Sequence, residues 1–198
     1  MKLKTIMFAH RLSPLLASLL LIAGTATFAA DWGMPDLMQM LGQKKSGTAT
    51  FVEKKTLAVL DQPLESSGEL SFTAPDRLEK RTLKPKAEAV ILQGDKLMLE
   101  RSDGRRITVS LSDRPEVAAF VESIRATLAG DRNALERYFN VNLTGRAEQW
   151  QLTLVPLQAR MLKLISQVRI SGARAQVRTI SFLQADGDRS DMTITSTR

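Results

Sequence analysis

The sequence predicts a mainly β protein of the α+β class, in which one strongly curved antiparallel sheet is covered by helices. At least nine short segments alternate apolar and polar residues with a period of two, which is typical of strands with one buried face. Turn sequences such as Ser102-Asp103-Gly104 separate these segments. Only three segments carry the three- and four-residue apolar spacing of helices, and helices can cover the apolar side of such a sheet.

The composition is that of one ordinary globular domain. The chain has 198 residues, of which 28 are Lys or Arg, 21 are Asp or Glu, one is His and none is Cys. This length suits a single domain. The absence of cysteine excludes disulfides, thiolate nucleophiles, iron–sulfur clusters and a bacterial lipid-attachment cysteine.

The first residues predict a secretory signal peptide. Lys2, Lys4 and Arg11 precede an apolar run over residues 12–23, and small residues flank a cleavage position after Ala29. An uncleaved membrane anchor is the alternative, but the apolar run is short for a spanning helix. We therefore expect export to the periplasm of a Gram-negative cell.

Cleavage leaves a mature chain over residues 30–198, which we predict to be a single domain. It removes His10, the one histidine, and three basic residues from a formal net charge of +7. A chain without His and Cys has no Ser-His-Asp triad, no Cys-His pair and no usual zinc site. We therefore expect neither enzymatic activity nor a cofactor or metal.

The modest positive charge and the few aromatic residues do not favour nucleic-acid binding. The basic residues are scattered among acidic ones, so the composition suggests only a weak, generic attraction to anionic lipid headgroups. We also expect a monomer.

The sequence predicts a short helix that begins near Pro35 and ends near Gly42. Proline is common at the first position of a helix, and glycine is common just after the last. Met34, Met38 and Leu41 share one of its faces. That face is either ordinary core or an adaptable plug, because methionine repacks around irregular apolar shapes.

The predicted strands form a meander with one apolar face. In the first strand Ala49 and Phe51 lie on that face, and Glu53 or Lys55 continues it outward toward solvent. The predicted strands are residues 48–59, 68–73, 77–83, 88–93, 96–101, 105–111, 147–154, an apolar stretch over 161–170, 177–183, and a last strand that carries Met192 and Ile194. Turns are expected at Ser171-Gly172 and at Asp186-Gly187.

Two further helices interrupt the strands. Apolar residues from Val117 to Leu128 recur every three or four positions, and Gly130 closes the first of these helices. Asp131 can cap a second helix that carries Leu135, Tyr138 and Phe139. After this helix, strands are expected to resume at Ala147.

No catalytic or metal-binding constellation is apparent. Asp103-Gly104 and Asp186-Gly187 lack the spaced oxygens of a calcium loop and are typical of hairpin turns. No GxGxxG motif opens a helix, and the acidic residues lie in turns, caps and outward positions. The apolar faces of the strands must be shielded from water. Either a packed core or a partly closed barrel with a dry cavity would do so.

Several local strings resemble the periplasmic outer-membrane lipoprotein carrier proteins, the LolA-like family. The matching strings are Thr48-Ala49-Thr50-Phe51-Val52-Glu53, Ser66-Ser67-Gly68-Glu69-Leu70-Ser71-Phe72, Ala74-Pro75-Asp76-Arg77-Leu78, Gly94-Asp95-Lys96-Leu97 and Trp150-x-Leu152-x-Leu154-x-Pro156. Together they cover essentially the whole mature chain in the family's order.

The resemblance implies an incomplete antiparallel β-barrel with a helical lid, whose apolar interior receives acyl chains. Such proteins take a lipoprotein from an inner-membrane exporter and deliver it to an outer-membrane acceptor. Two positions differ from the family: Ala74 replaces the arginine that helps tie the lid to the barrel, and Leu78 replaces an aromatic residue. They predict a divergent branch that serves another acylated or isoprenoid-like cargo.

The first hypothesis is therefore a non-enzymatic periplasmic carrier of an acylated lipoprotein or other lipid. The predicted cavity wall consists of Phe51, Leu70, Phe72, Leu78, Leu97, Leu99, Ile107, Val109, Trp150 and Leu152. The predicted lid contacts are Met38, Phe120, Val121 and Ile124. The second hypothesis is a periplasmic sensor or scaffold of the same fold that binds a protein partner and carries no lipid.

Overall fold

The computed structural model describes residues 32–197, in which eleven strands form one antiparallel sheet and four helices accompany it. The predicted signal peptide lies outside the described residues. The strands are β1 (Ser46–Thr56), β2 (Leu64–Thr73), β3 (Arg77–Lys84), β4 (Glu88–Gln93), β5 (Lys96–Arg101), β6 (Arg106–Ser110), β7 (Phe139–Arg146), β8 (Gln149–Pro156), β9 (Ile165–Ala173), β10 (Gln176–Gln184) and β11 (Arg189–Ser196). The helices are α1 (Met34–Gly42), α2 (Pro115–Ala129), α3 (Arg132–Tyr138) and α4 (Ala159–Leu162).

Two meanders share the sheet, and the first and last strands join them. The strand order is β6-β5-β4-β3-β2-β1-β11-β10-β9-β8-β7, with Phe51 of β1 opposite Ile194 of β11. In the described part of the chain, β6 and β7 each pair on one side only, so the curved sheet is open. The predicted fold class is confirmed.

The prediction was wrong about the residues after α3. It placed Phe139 in a helix and resumed strands at Ala147, but β7 begins at Phe139 and runs to Arg146. Phe139 already has an extended backbone. Phe139, Val141 and Leu143 face inward in alternation with asparagine and threonine. This period-two pattern was hidden because Leu135, Tyr138 and Phe139 also fit helical spacing.

A second correction concerns the apolar stretch over residues 161–170. It contains the end of the short helix α4, and β9 begins only at Ile165. The strand then continues through the predicted turn at Ser171-Gly172 to Ala173, so the turn lies at Arg174, whose φ is 49°. Both errors arise because an apolar run alone does not distinguish a buried helical turn from a strand.

Two glycines fix α1 against the end of α2. Gly130 follows α2 with φ of 68°, a left-handed conformation that favours glycine. A Cβ atom there would lie 2.1 Å from the backbone oxygen of Met38, and one at Gly42 would lie 2.9 Å from that of Ala129. The two helices therefore meet backbone to backbone.

The main core lies between β7–β11, β1 and the helices. Trp150 is 1% exposed, and its indole Nε1 donates to the Arg174 oxygen at 2.8 Å. The methionine-rich face of α1 is part of this core, because Met38 and Leu41 are buried in it and Met34 packs against it. A smaller cluster of Leu92, Leu111 and Val121 lies beneath α2 on the β4–β6 side.

We predict that Leu152→Ala lowers the free energy of unfolding by about 2–5 kcal/mol, because Leu152 is fully buried in the main core. Leu157→Ala removes the same atoms from an exposed position and should change it by less than about 0.5 kcal/mol. Urea denaturation checks both values. Equal losses in the two variants would contradict the assignment of the core.

Candidate functional site

The strand register places all ten residues of the predicted cavity wall on the same face of the sheet. Leu97 of β5 lies opposite Val109 of β6, and Leu99 lies opposite Ile107, so these four side chains share one face. The same face continues across β4 to Leu78 of β3, Phe72 of β2 and then β1. On the other meander the same face carries Trp150 and Leu152. This inner face is the one that packs against α1, α2 and α3.

The helices cover the inner face unequally. Phe51, Phe72, Trp150 and Leu152 are buried. Leu70, Leu78, Leu97, Leu99 and Val109 are half-buried. Ile107 is 48% exposed. The wall residues therefore divide into a packed half and an accessible half on β2–β6.

One transverse line of cross-strand neighbours runs through the accessible half. We call it the inner row: Leu70, Lys80, Val90, Leu99 and Ile107, one residue from each of β2 to β6. Four of the five are aliphatic, and none of the four is fully buried. The inner row is the apolar surface that the helices leave uncovered.

The predicted lid residues all lie between helices and sheet. Met38 and Val121 are buried, and Ile124 packs against the main core. Phe120 lies 4.3 Å from Phe182 of β10, measured between ring centroids, and also borders the smaller cluster on the other half of the sheet. Phe120 thus spans the two halves of the inner face.

Arg125, which the sequence analysis did not single out, ties α2 to the rim of the sheet. Its Nη1 donates to the Gly94 oxygen in the β4–β5 turn at 3.1 Å, and its Nε donates to Glu122 at 3.2 Å. The position expected to carry a latch arginine is Ala74. In this chain the contact between helix and rim therefore comes from α2 itself.

Glu53 was expected to face outward, and that expectation was wrong. It continues the face of Phe51 into the protein and is 4% exposed. Ser190 Oγ donates to its Oε1 at 2.6 Å, Ser66 Oγ donates to Oε2 at 3.4 Å, and Lys80 Nζ forms an ion pair with Oε2. The surrounding polar groups explain how a carboxylate is tolerated there.

Lys80 connects this buried carboxylate to the inner row. Its ammonium lies 4.9 Å from the centre of the Phe51 ring, within the range of a cation–π contact. Burial raises the pKa of Glu53, but the hydrogen bonds from Lys80 and Ser190 and the charges of Lys80 and Lys55 outweigh it, so the pKa lies below its ordinary value. The Glu53 carboxyl is therefore ionised at neutral pH.

Two cavities flank Arg125 and Tyr138. One, of about 440 Å³, lies between the β4–β5 turn, α2 and α4; the other, of about 330 Å³, lies between α2, α3 and the β2–β3 turn. Their walls include Asp95 and Arg160 in the first and Asp76 and Arg137 in the second. Neither is lined by the predicted wall residues.

Over residues 32–197, no three His, Cys, Asp or Glu side chains come together as a group that could hold a metal ion. Within the same residues, no helix has the length and hydrophobicity needed to span a membrane.

Residues 22–196 match the family described as "Outer membrane lipoprotein carrier protein LolA-like". This chain belongs to the LolA-like family. The match spans the inner row, Glu53, Arg125 and all four predicted lid residues, and it confirms the resemblance found in the short sequence motifs. No curated protein matches this LolA-like chain in sequence.

Solved structures with a similar fold have low sequence identity to this chain. The LolA superfamily protein NE2245 from Nitrosomonas europaea is 10% identical, with a TM-score of 0.47, over 83% of this chain and 91% of that one. An outer membrane lipoprotein-sorting protein domain from Vibrio parahaemolyticus is 8% identical, with a TM-score of 0.45, over 81% and 88%. A chain of the Pseudomonas aeruginosa MucA/MucB complex is 12% identical, with a TM-score of 0.44, over 83% and 57%.

We predict that Glu53→Gln flattens the pH dependence of stability. A carboxylate whose pKa is lowered by folding stabilises the protein above its ordinary pKa of 4.5, and this contribution is lost as the pH falls through the lowered value. The free energy of unfolding of the wild type should thus fall more steeply between about pH 6 and pH 3 than that of the variant.

Urea denaturation at several pH values measures the difference. Asp103 and Asp191, whose pKa values are also lowered, are present in both proteins and cancel. Glu65→Gln, which changes an exposed carboxylate paired with Lys54 at 3.0 Å, is the control and should follow the wild type. Parallel curves for wild type and Glu53→Gln would contradict the ion pair of the buried Glu53 carboxylate.

Proposed function

We propose that this protein is a non-enzymatic periplasmic carrier, which binds the acyl chains of a lipoprotein or another lipid and moves it from the inner to the outer membrane. The family membership supports the general role. The observation that carries the proposal is the inner row, an aliphatic surface on the helix-facing side of the sheet that no helix covers fully.

The inner row can gain free energy from a hydrocarbon guest. Each methylene group that leaves water contributes about 0.8 kcal/mol, so a long acyl chain offers on the order of 10 kcal/mol before costs. Ordering the guest and removing it from a membrane offset much of this gain. A shuttle needs such a balance, because a cargo held too tightly is not delivered.

The ion pair with Glu53 makes Lys80 compatible with an apolar guest. Lys80 is the one charged residue of the inner row, between Leu70 and Val90. An isolated ammonium against hydrocarbon would lose its hydration without compensation. The Glu53 carboxylate compensates the charge of the ammonium, and the Phe51 ring gives it a cation–π contact.

Access to the part of the inner face beside the inner row requires a movement of α2, because α2 covers Leu92 and Leu97 there. Its carboxyl end is anchored by the close contact of Gly130 with α1, whereas its middle is held by the small cluster at Val121 and by Arg125. We propose that the amino-terminal half of α2 swings outward about the Gly130 end. Because Phe120 spans both halves of the inner face, this movement would uncover a continuous apolar surface.

Titration of the purified exported protein with a fluorescent long-chain fatty acid tests this proposal. We predict saturable uptake, and an increase of about tenfold in Kd for Leu99→Gln, since the new amide would face the guest. Met98→Gln is the matched control, because Met98 is the next residue of β5 and lies on the opposite face of the sheet.

The same titration distinguishes the two functional hypotheses. Absence of saturable uptake by the wild type, or equal losses for Leu99→Gln and Met98→Gln, would contradict the carrier. A stable stoichiometric complex with one periplasmic protein, together with no lipid uptake, is the result expected for the sensor or scaffold.

A further inference from the structure

The inner face is apolar on one side of the inner row and polar on the other. Toward the β4–β5 turn, the next line of cross-strand neighbours is entirely apolar and consists of Phe72, Leu78, Leu92, Leu97 and Val109. On the other side, the corresponding positions of β3, β4 and β5 hold Thr82, Glu88 and Arg101. We call these three residues the polar row. The inner row is thus the boundary between an apolar and a polar part of the same face.

Lys80 lies at a point of this boundary where an amphiphilic guest would change its character. From Lys80 the inner row continues over Val90 and Leu99 to Ile107 of β6, across three strand spacings or about 14 Å of aliphatic surface. Thr82 of the polar row follows Lys80 on the same face of β3, since it is two residues farther along the strand. A hydrocarbon tail and a polar group can therefore meet at Lys80.

The protein uses the hydrogen-bonding capacity of the Lys80 ammonium only in part. The group carries three N–H donors. Over residues 32–197, its one hydrogen-bond acceptor is Glu53 Oε2, and the Phe51 ring adds the cation–π contact. The Lys80 side chain is 27% exposed, so solvent can accept from a remaining donor. A guest on the inner row would displace this solvent.

The guest must then supply the acceptor that the solvent provided. A pure hydrocarbon offers none, and an unpaired donor of a charged group is costly away from water. The carbonyl oxygen of an acyl ester or amide accepts a hydrogen bond at the point where the hydrocarbon chain ends. It brings no charge, which suits an ammonium whose charge Glu53 already compensates.

A carboxylate is a less suitable partner for Lys80. It would share the ammonium with the ionised Glu53 carboxyl, and two carboxylates at one site repel each other. Lys55 lies 3.8 Å from the other oxygen of Glu53, Oε1, but its side chain is half exposed and solvent screens its charge. These contacts favour an uncharged acceptor.

We propose that Lys80 determines the specificity of the inner row, because its ammonium donates a hydrogen bond to the carbonyl oxygen of an acyl ester or amide. The acyl chain lies over Val90, Leu99 and Ile107, and the polar part of the guest lies at the polar row. This inference rests on the proposed carrier function and narrows its cargo to acylated molecules, in preference to isoprenoid hydrocarbons.

Fluorescence titration with two uncharged probes tests the proposal. One probe is the methyl ester of a long-chain fatty acid that carries pyrene at its far end. The other is the methyl ether of the same chain, which lacks the carbonyl oxygen. The wild type should bind the ester about tenfold more tightly, because the ester alone gives the charged donor an acceptor.

Three variants assign this preference to Lys80. Lys80→Met removes the donor from a side chain of similar length and should bind ester and ether equally, with no loss of affinity for the ether. Glu53→Gln with Lys80→Met leaves no buried carboxylate without a partner and should lose the preference in the same way. Arg81→Met, at the next residue of β3 and on the opposite face of the sheet, should keep it. Circular dichroism establishes that each variant is folded.

Infrared spectroscopy of the bound ester provides a measurement on the wild type itself. A hydrogen bond from the ammonium weakens the C=O bond, so the ester carbonyl stretch should lie at lower wavenumber in the complex than in hexane. A band at the position found in hexane would overturn the proposal.

The titration separates this proposal from the carrier function on which it rests. Uptake of neither probe would contradict the carrier, and the assignment of Lys80 with it. Equal binding of ester and ether by the wild type, or a preference that survives in Lys80→Met, would overturn the assignment and leave the carrier in place. Tighter binding of the corresponding fatty-acid anion than of its methyl ester would also overturn it, since the acceptor would then be an anion.

Discussion

The pairing of β1 with β11 is the constraint on which the architecture depends. It joins two meanders at the two ends of the described chain and turns them into one sheet of eleven strands. Since β6 and β7 do not pair with each other, the sheet remains open, and its apolar inner face cannot be buried by closure alone. Helices must cover it.

The helices cover one half of the inner face more completely than the other, and this difference links the fold to the proposed role. The main core joins α1 and α3 to the β7–β11 side, whereas a small cluster and Arg125 hold α2 over the other side. A tightly packed half thus adjoins a half whose apolar face stays partly accessible. The ion pair between buried Glu53 and half-buried Lys80 lies at the boundary and allows a lysine to take part in an otherwise aliphatic row.

The alternation of apolar residues was sufficient to predict every strand except β7, and to place the wall residues within each strand on one face. Leu97, Leu99, Ile107 and Val109 share the inner face because the period of two is strict there. The strand β7 was missed because Phe139 fits both helical and strand spacing. The inward position of Glu53 was missed because a carboxylate is ordinarily taken to face water, and its partners Lys80 and Ser190 are remote in sequence.

The contact of Arg125 with Gly94 could not be predicted either, since it depends on how α2 crosses the sheet. The sequence does contain the motif Phe51-Val52-Glu53, in which strand periodicity places the carboxylate on the face of the aromatic ring. Local patterns therefore determine which face a side chain occupies. They do not determine which remote residue meets it there.

Native mass spectrometry of the protein purified from the cells that produce it tests the central claim most directly, namely that the inner face has room for a guest. The account predicts a population whose mass exceeds that of the chain by one acylated molecule, which organic extraction releases. A mass equal to that of the chain alone, both as purified and after incubation with lipid, would contradict it.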